Sequence, residues 1–221
     1  VQGLDETVAE RAPLFLMNPM EKPYLSRIAL ATGAEWLSSP ASYDAERAWH
    51  AAIREQYGGL AGDMELFALH SRRMEKDWAH TGALDAPVLR EQMEAFWQKA
   101  ERGERADKEA EALAKEFRRL KRAAKQLKEN LPPEILAECL PQLQLFAQYA
   151  ESAETSLAMV KARREESFAH ETALYQKIKD VPTEWQKKEE PRLSEQVLAD
   201  FIARAKAWHE MQEHGEGRRE N

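Results

Sequence analysis

Two long stretches of the chain carry apolar side chains at steps of three and four residues, and this spacing constrains the fold more than any other feature. They run from residue 105 to 130 and from 134 to about 179, separated by the turn "LPP" at 131–133. A stripe of this period is typical of helices that pack side by side in an antiparallel bundle. Since long amphipathic helices are not stable alone, we expect the two to pack together. Their stripes consist of Leu113, Phe117, Leu120, Ala124 and Leu127, and of Leu143, Phe146, Ala150, Ala153, Leu157 and Val160.

The remaining patterns also favour helices, so the predicted fold class is all-α. Only 9 of the 221 residues are glycine, which is low for a chain built from sheets and turns. Pro141 marks either a kink in the second long helix or its start, and the apolar pattern slips at "KARREES". Ser194 is a candidate N-cap of the last helix. Further helices are expected at 20–39, 42–59, 62–78 and 87–102, with loops at 79–87 and 180–191. Ser42 is a candidate cap of the helix at 42–59. The expected apolar face of the helix at 20–39 consists of Tyr24, Ile28, Leu30, Ala31, Ala34 and Leu37.

One short segment, "PLFLM" at residues 13–17, has the character of a strand instead. It is apolar without alternation, as buried parallel strands are, and it is followed by Asn18 and Pro19. A lone strand cannot satisfy its own backbone donors and acceptors, and the rest of the sequence offers no partner strand. The segment is therefore expected to pair with residues outside this chain.

Composition excludes several classes of partner. The net charge of −7 provides no overall basic field for nucleic acid, and no run approaches the roughly 18 apolar residues of a membrane span. The strongest basic patch lies on one helix between residues 118 and 128. It is interpreted either as a solvated outer face or as a surface for an anionic polymer or a protein partner. It comprises Arg118, Arg119, Lys121, Arg122, Lys125 and Lys128.

No motif predicts a metal, a cofactor or a catalytic group. His209 and His214 are five residues apart, roughly 140° around a helix, whereas helical ligand pairs are four apart, so a solvated face is expected there. Cys139, the single cysteine, has no catalytic arrangement around it, is expected in the core and does not indicate a compartment. The sequence contains no glycine-rich phosphate loop and no adjacent Asp-Asp pair.

The stretch from residue 15 to 53 resembles the end of the catalytic region of family 84 glycoside hydrolases, the β-N-acetylglucosaminidases that include O-GlcNAcases and bacterial "hyaluronidases". A strand ends in Asn18-Pro19-Met20, a helix closes with Trp36-Leu37, and Tyr43-Asp44 precedes Trp49 at the opening of the next helix. The resemblance covers residues 14 to about 75, and a helical bundle after the barrel is a general habit of the family.

This resemblance implies a specific architecture and one site residue. Residues 1–40 would supply the last strand and helix of a (β/α)8 barrel, residues 41–80 post-barrel helices, and residues 81–221 a helical bundle domain. Asn18 would lie at the C-terminal end of the closing strand, where the family uses an asparagine to bind hydroxyls of the sugar. If it has no such role, Asn18 merely begins the turn before Pro19.

The family's two adjacent catalytic aspartates and the first seven barrel strands are absent. The resemblance therefore implies a C-terminal part of a β-N-acetylglucosaminidase that supports the barrel and does not hydrolyse anything alone. Its partners would be the remainder of the barrel and, through it, a substrate bearing N-acetylglucosamine, with oligomer formation left open. The alternatives are a stand-alone helical interaction module and an enzyme with an unrecognised helical site.

Overall fold

The computed structural model describes residues 6–12, 14–18, 21–70, 86–183 and 197–216. Within these ranges the regular structure is helical and no strand is formed, which confirms the all-α fold class. The helices are α1 (Glu6–Arg11), α2 (Pro23–Ser38), α3 (Ala45–Tyr57), α4 (Ala61–Leu69), α5 (Pro87–Glu101), α6 (Asp107–Asn130), α7 (Pro133–Arg164), α8 (Phe168–Ile178) and α9 (Val197–Glu216). No helix in the described part of the chain is both long and apolar enough to span a bilayer.

The second long stripe divides into two helices where its spacing slips. The helix α7 ends at Arg164, and α8 begins at Phe168 after a turn in which Glu166 has a φ of 57°. Pro141 lies inside α7, so it does not start the helix. The predicted cap Ser194, most of the two predicted loops and residues 71–78 of the third predicted helix lie outside the described residues.

The predicted strand is not formed. Residues 14–18 have no regular structure, and Leu14 and Leu16 are 70% and 83% exposed. Phe15 is the exception, since its ring lies 5.5 Å from the ring of buried Trp36. The physical reason is that an extended segment without a neighbouring strand has no partner for its backbone hydrogen bonds. The following helix, expected at 20–39, is present as α2.

The chain forms two compact units. Unit 1 is drawn from Val1–Leu66 and Gln126–Leu140, and unit 2 from Phe67–Lys125 and Pro141–Asn221. Both α6 and α7 contribute residues to each unit. The domain boundaries at residues 40 and 80 therefore stay a prediction from the family resemblance.

The core of unit 2 is built from the predicted stripes. The members of both stripes that fall in this unit are buried. Phe201 of α9 is the centre of an aromatic cluster, with ring centroids 6.0 Å from Phe96, 5.3 Å from Trp97 and 5.3 Å from Phe117. Burial of large aromatic side chains at these separations provides much of the stabilising energy of a helical domain.

Unit 1 is organised around α2 and α3. Asp44 caps α3 by accepting a hydrogen bond of 2.7 Å from the Arg47 backbone N–H, whereas Ser42 was the expected cap. The buried side of α2 also differs from the predicted one, because Ala34 and Leu37 are exposed while Trp36 is 2% exposed. The apolar pattern of this helix is too uniform to define one face, so packing against α3 decides which side is buried. The buried residues of α2 and α3 are Thr32, Gly33, Trp36, Ala48, Ala52, Ile53 and Tyr57.

Candidate functional site

Asn18, the residue implicated in sugar binding, lies in the irregular segment before α2. Its side chain is exposed. Residues 19 and 20, which follow it, are outside the described residues. Four positions after Asn18, Lys22 is the N-cap residue of α2. The assignment of Asn18 to a sugar site stays a prediction. The residues of unit 1 that follow Asn18 in the chain, and their contacts, bear on this prediction.

Glu138 of α7 lies at the start of α2. Its two carboxylate oxygens accept hydrogen bonds from the backbone N–H groups of Tyr24 at 3.1 Å and Leu25 at 3.0 Å. The Lys22 ammonium group donates to the backbone carbonyl of Glu138. Two segments more than 110 residues apart in sequence are therefore joined by three hydrogen bonds.

Two buried titratable groups lie beside this contact. Burial raises the pKa of the Cys139 thiol to about 11, and it raises the pKa of the Tyr57 hydroxyl to about 12. The thiol donates to the Ile135 carbonyl at 3.4 Å. Both groups are therefore neutral at physiological pH, and Cys139 is the core residue that the sequence predicted.

The basic face of α6 is partly neutralised by acidic neighbours. Lys121 lies 2.9 Å and Arg118 3.8 Å from carboxylate oxygens of Glu154, and Arg119 lies 3.3 Å from Glu116. These are exposed pairs, which contribute little stability but reduce the local positive field. A binding surface for an anionic polymer is accordingly not favoured by the geometry.

His209 is buried, which corrects the expectation of a solvated face. Its Nδ1 atom lies 2.6 Å from Glu171 Oε1, and both side chains are almost fully buried. Arg163 Nη1 donates to Glu171 Oε2 and to Glu213 Oε1, each at 3.0 Å. The ring of Tyr175 lies 4.2 Å from that of His209. The side chain of His214 is outside the described part of the structure.

This cluster contains a set of potential metal ligands. One ligand atom from each of Glu171, His209 and Glu213 lies within 4.8 Å of the others. Carboxylate and imidazole groups are ligands that Zn²⁺ accepts. However, the Arg163 guanidinium already bridges the two carboxylates, so their negative charge is compensated within the protein. The arrangement is that of a buried ion-pair network that ties α7, α8 and α9 together.

The burial of His209 can be predicted from the sequence pattern, whereas the burial of Arg163 and Glu171 cannot. His209 continues the row Leu198, Ile202 and Ala205 at helical spacing, so its burial follows from the pattern of α9. Arg163 and Glu171 flank the break between α7 and α8, within a strongly polar stretch that indicates solvent exposure. Only the packing of three helices shows that these charges are buried.

A surface pocket of about 370 Å³ lies in unit 2, where the turn between α5 and α6 meets the end of α7. Arg164 fixes this turn by donating to the carbonyls of Ala100 at 3.3 Å and Glu104 at 2.7 Å. The pocket is lined by equal numbers of basic and acidic side chains, so its charge favours neither an anion nor a cation. The charged residues are Arg105, Lys161 and Arg164, and Glu104, Asp107 and Glu165.

Two protein-family models match the chain. Residues 88–202, more than half of the chain, match the model described as hyaluronidase post-catalytic domain-like. Residues 1–70 match the model described as beta-N-acetylglucosaminidase. The two matches follow one another along the chain in the order that the resemblance of residues 15–53 implied.

Solved structures share the fold at low sequence identity. CpGH84B is 22% identical with a TM-score of 0.75, over 93% of this chain and 35% of its own. CpGH84D is 16% identical with a TM-score of 0.71, over 84% of this chain and 33% of its own.

The O-GlcNAc hydrolase of Thermobaculum terrenum, solved as a point mutant, is 17% identical with a TM-score of 0.73, over 90% of this chain and 42% of its own. The chain thus spans between a third and about two fifths of the length of these proteins. The match of residues 88–202 shows that the chain belongs to the hyaluronidase post-catalytic domain-like family, and its first 70 residues are similar to β-N-acetylglucosaminidases.

Proposed function

We propose that this chain is the C-terminal region of a β-N-acetylglucosaminidase, in which residues 1–40 complete the catalytic barrel and the helices that follow support it. The observation that carries the proposal is the succession of two family matches within one chain, first to the glucosaminidase and then to the post-catalytic domain. A substrate class of glycans or glycoproteins bearing N-acetylglucosamine follows from this assignment. The name of the Thermobaculum terrenum relative, an O-GlcNAc hydrolase, agrees with it.

The exposure of residues 14–18 supports a partner for this segment. Leu14 and Leu16 are exposed, while Phe15 between them packs on Trp36. This alternation is what a strand shows when one face is covered and the other awaits a neighbour. In the proposed enzyme the neighbour is the rest of the barrel.

The chemical step is assigned to residues outside this chain. The family uses the N-acetyl oxygen of the substrate as nucleophile, oriented by two adjacent aspartates, and the sequence has no such pair. Asn18 would contribute binding: its amide can donate to one sugar hydroxyl and accept from another. Such hydrogen bonds orient the sugar ring relative to the reacting centre.

The role of Asn18 is tested by kinetics of the longer protein that includes the upstream barrel. With a chromogenic N-acetylglucosaminide, Asn18→Ala should lower kcat/KM about tenfold, the effect of losing one or two hydrogen bonds to the substrate. Gln144→Ala, which removes an exposed amide on α7, is the control and should leave kcat/KM unchanged. A wild-type kcat/KM in Asn18→Ala would contradict the sugar contact.

A further inference from the structure

The first turn of α2 obtains hydrogen-bond acceptors from a distant part of the chain. Pro23 has no N–H group, and the Ser26 N–H donates to the Lys22 carbonyl at 2.9 Å. The remaining N–H groups, of Tyr24 and Leu25, donate to Glu138. Since the first N–H groups of a helix lack intrahelical partners, Glu138 completes this end of α2.

Glu138 also provides the negative charge that this helix end lacks. No acidic residue lies in the first turn of α2, and Lys22, its N-cap residue, forms no side-chain cap. A carboxylate at a helix N-terminus is stabilised by the helix dipole. The Lys22 ammonium group reaches in the opposite direction, to the Glu138 carbonyl. The Lys22 side chain is therefore bound to the backbone of α7, and the Glu138 side chain is bound to the backbone of α2.

Asn18 lies between this contact and a second anchor. Three residues before it, the Phe15 ring packs against Trp36 of α2. Four residues after it, Lys22 is bound to Glu138. Four residues of extended chain span at most about 14 Å, so the contact between Lys22 and Glu138 keeps Asn18 within this distance of Lys22. Both anchors involve α2, and one also involves the start of α7.

We infer that Lys22 and Glu138 form a clamp that positions Asn18 for sugar binding, so that the post-catalytic helix α7 acts on the active site through this residue. The inference rests on the proposed function, because it requires Asn18 to contact the substrate. Glu138 is then a positioning residue: it contacts no substrate, and its effect on activity passes through Asn18.

A double-mutant cycle in the longer protein tests the inference. Glu138→Ala should lower kcat/KM by up to the loss of about tenfold expected for Asn18→Ala, because a misplaced binding group loses its contacts to the substrate. In the Asn18→Ala background the same substitution should change kcat/KM less than twofold, because the group that it positions is gone. Glu134→Ala, an exposed carboxylate one turn earlier on α7, is the matched control and should leave kcat/KM unchanged in both backgrounds.

Hydrogen exchange of the same variants checks the clamp itself. Tyr24 and Leu25 amides should exchange faster in Glu138→Ala than in the wild type or in Glu134→Ala. Glu138→Gln keeps the shape of the side chain and one acceptor, so it should have an intermediate effect and serves as the test variant if Glu138→Ala does not fold.

The outcomes separate the two claims. An equal loss of kcat/KM from Glu138→Ala with and without Asn18 would overturn positioning through Asn18, because a general loss of stability acts in both backgrounds. No loss in either background would overturn it as well. Absence of hydrolysis by the wild-type longer protein would instead overturn the proposed function, and a silent Asn18→Ala would overturn the sugar contact on which the inference rests.

Discussion

Unit 1 and unit 2 differ in how completely their apolar and charged side chains are packed or paired within the unit. Unit 2 encloses its own aromatic cluster around Phe201 and pairs its buried charges internally through Arg163, Glu171 and His209. Unit 1 also has a core, but its leading segment exposes Leu14 and Leu16. The difference shows that the described residues of unit 2 pack their apolar and charged groups against one another, whereas residues 14–18 of unit 1 leave two leucine side chains exposed.

The largest contrast is expected from two leucine truncations. Leu120 is fully buried in unit 2, and Leu→Ala at such a site removes apolar contacts and leaves a cavity. Leu120→Ala should lower the free energy of unfolding by about 4 kcal/mol, measured by urea denaturation. Leu16→Ala is the matched control and should change it by less than about 0.5 kcal/mol in this chain. Equal effects would show that residues 14–18 are covered here.

The buried ion-pair network should give the next largest effect. Glu171→Gln leaves Arg163 and His209 without their shared carboxylate, and breaking a buried pair costs about 3 kcal/mol. Glu94→Gln removes an exposed partner of Arg204 and should cost less than about 1 kcal/mol. A similar small loss for both variants, measured by urea unfolding, would show that the network does not stabilise unit 2.

Cys139 should make unit 1 sensitive to alkaline pH. Its folded pKa of about 11 lies above the usual value of about 8.5, so the folded state holds the thiol proton more tightly. The stability that the protonated Cys139 thiol contributes to the folded state is fully present below about pH 8.5 and is lost as the pH rises toward 11. The loss of stability between pH 7 and pH 10 should therefore be smaller in Cys139→Ala than in the wild type, where unfolding is followed by circular dichroism.

The same thiol should react with a disulfide reagent at pH 8 about a hundredfold more slowly in the folded chain than in urea, because so little thiolate is present. Rapid labelling of the folded chain would contradict the burial of Cys139 in unit 1.

The smallest effect is expected at the cap of α3. Asp44→Ala removes the acceptor of the Arg47 N–H and should lower the free energy of unfolding by about 1 kcal/mol. Ser42→Ala, at the cap expected from the sequence, should have little effect. The reverse order in urea unfolding would place the helix start at Ser42.

The sequence patterns predicted the buried residues of unit 2 better than those of unit 1. The stripe of α6 was predicted from spacing because this helix has one apolar face, and the α7 residues that the same spacing selected are buried as well. In α2 the apolar residues are spread around the helix, so spacing could not identify Trp36 as its buried residue. The Glu138 clamp depends on contacts over more than 110 residues, which no local pattern contains.

Hydrolysis of a chromogenic N-acetylglucosaminide by two proteins, this chain alone and the longer protein that includes the upstream barrel, tests the central claim most directly. The expected result is turnover by the longer protein and none by this chain, because the proposal assigns the aspartate pair to the upstream barrel. Turnover by this chain alone, abolished by Asn18→Ala, would contradict the account, and so would a longer protein that is folded but has no activity.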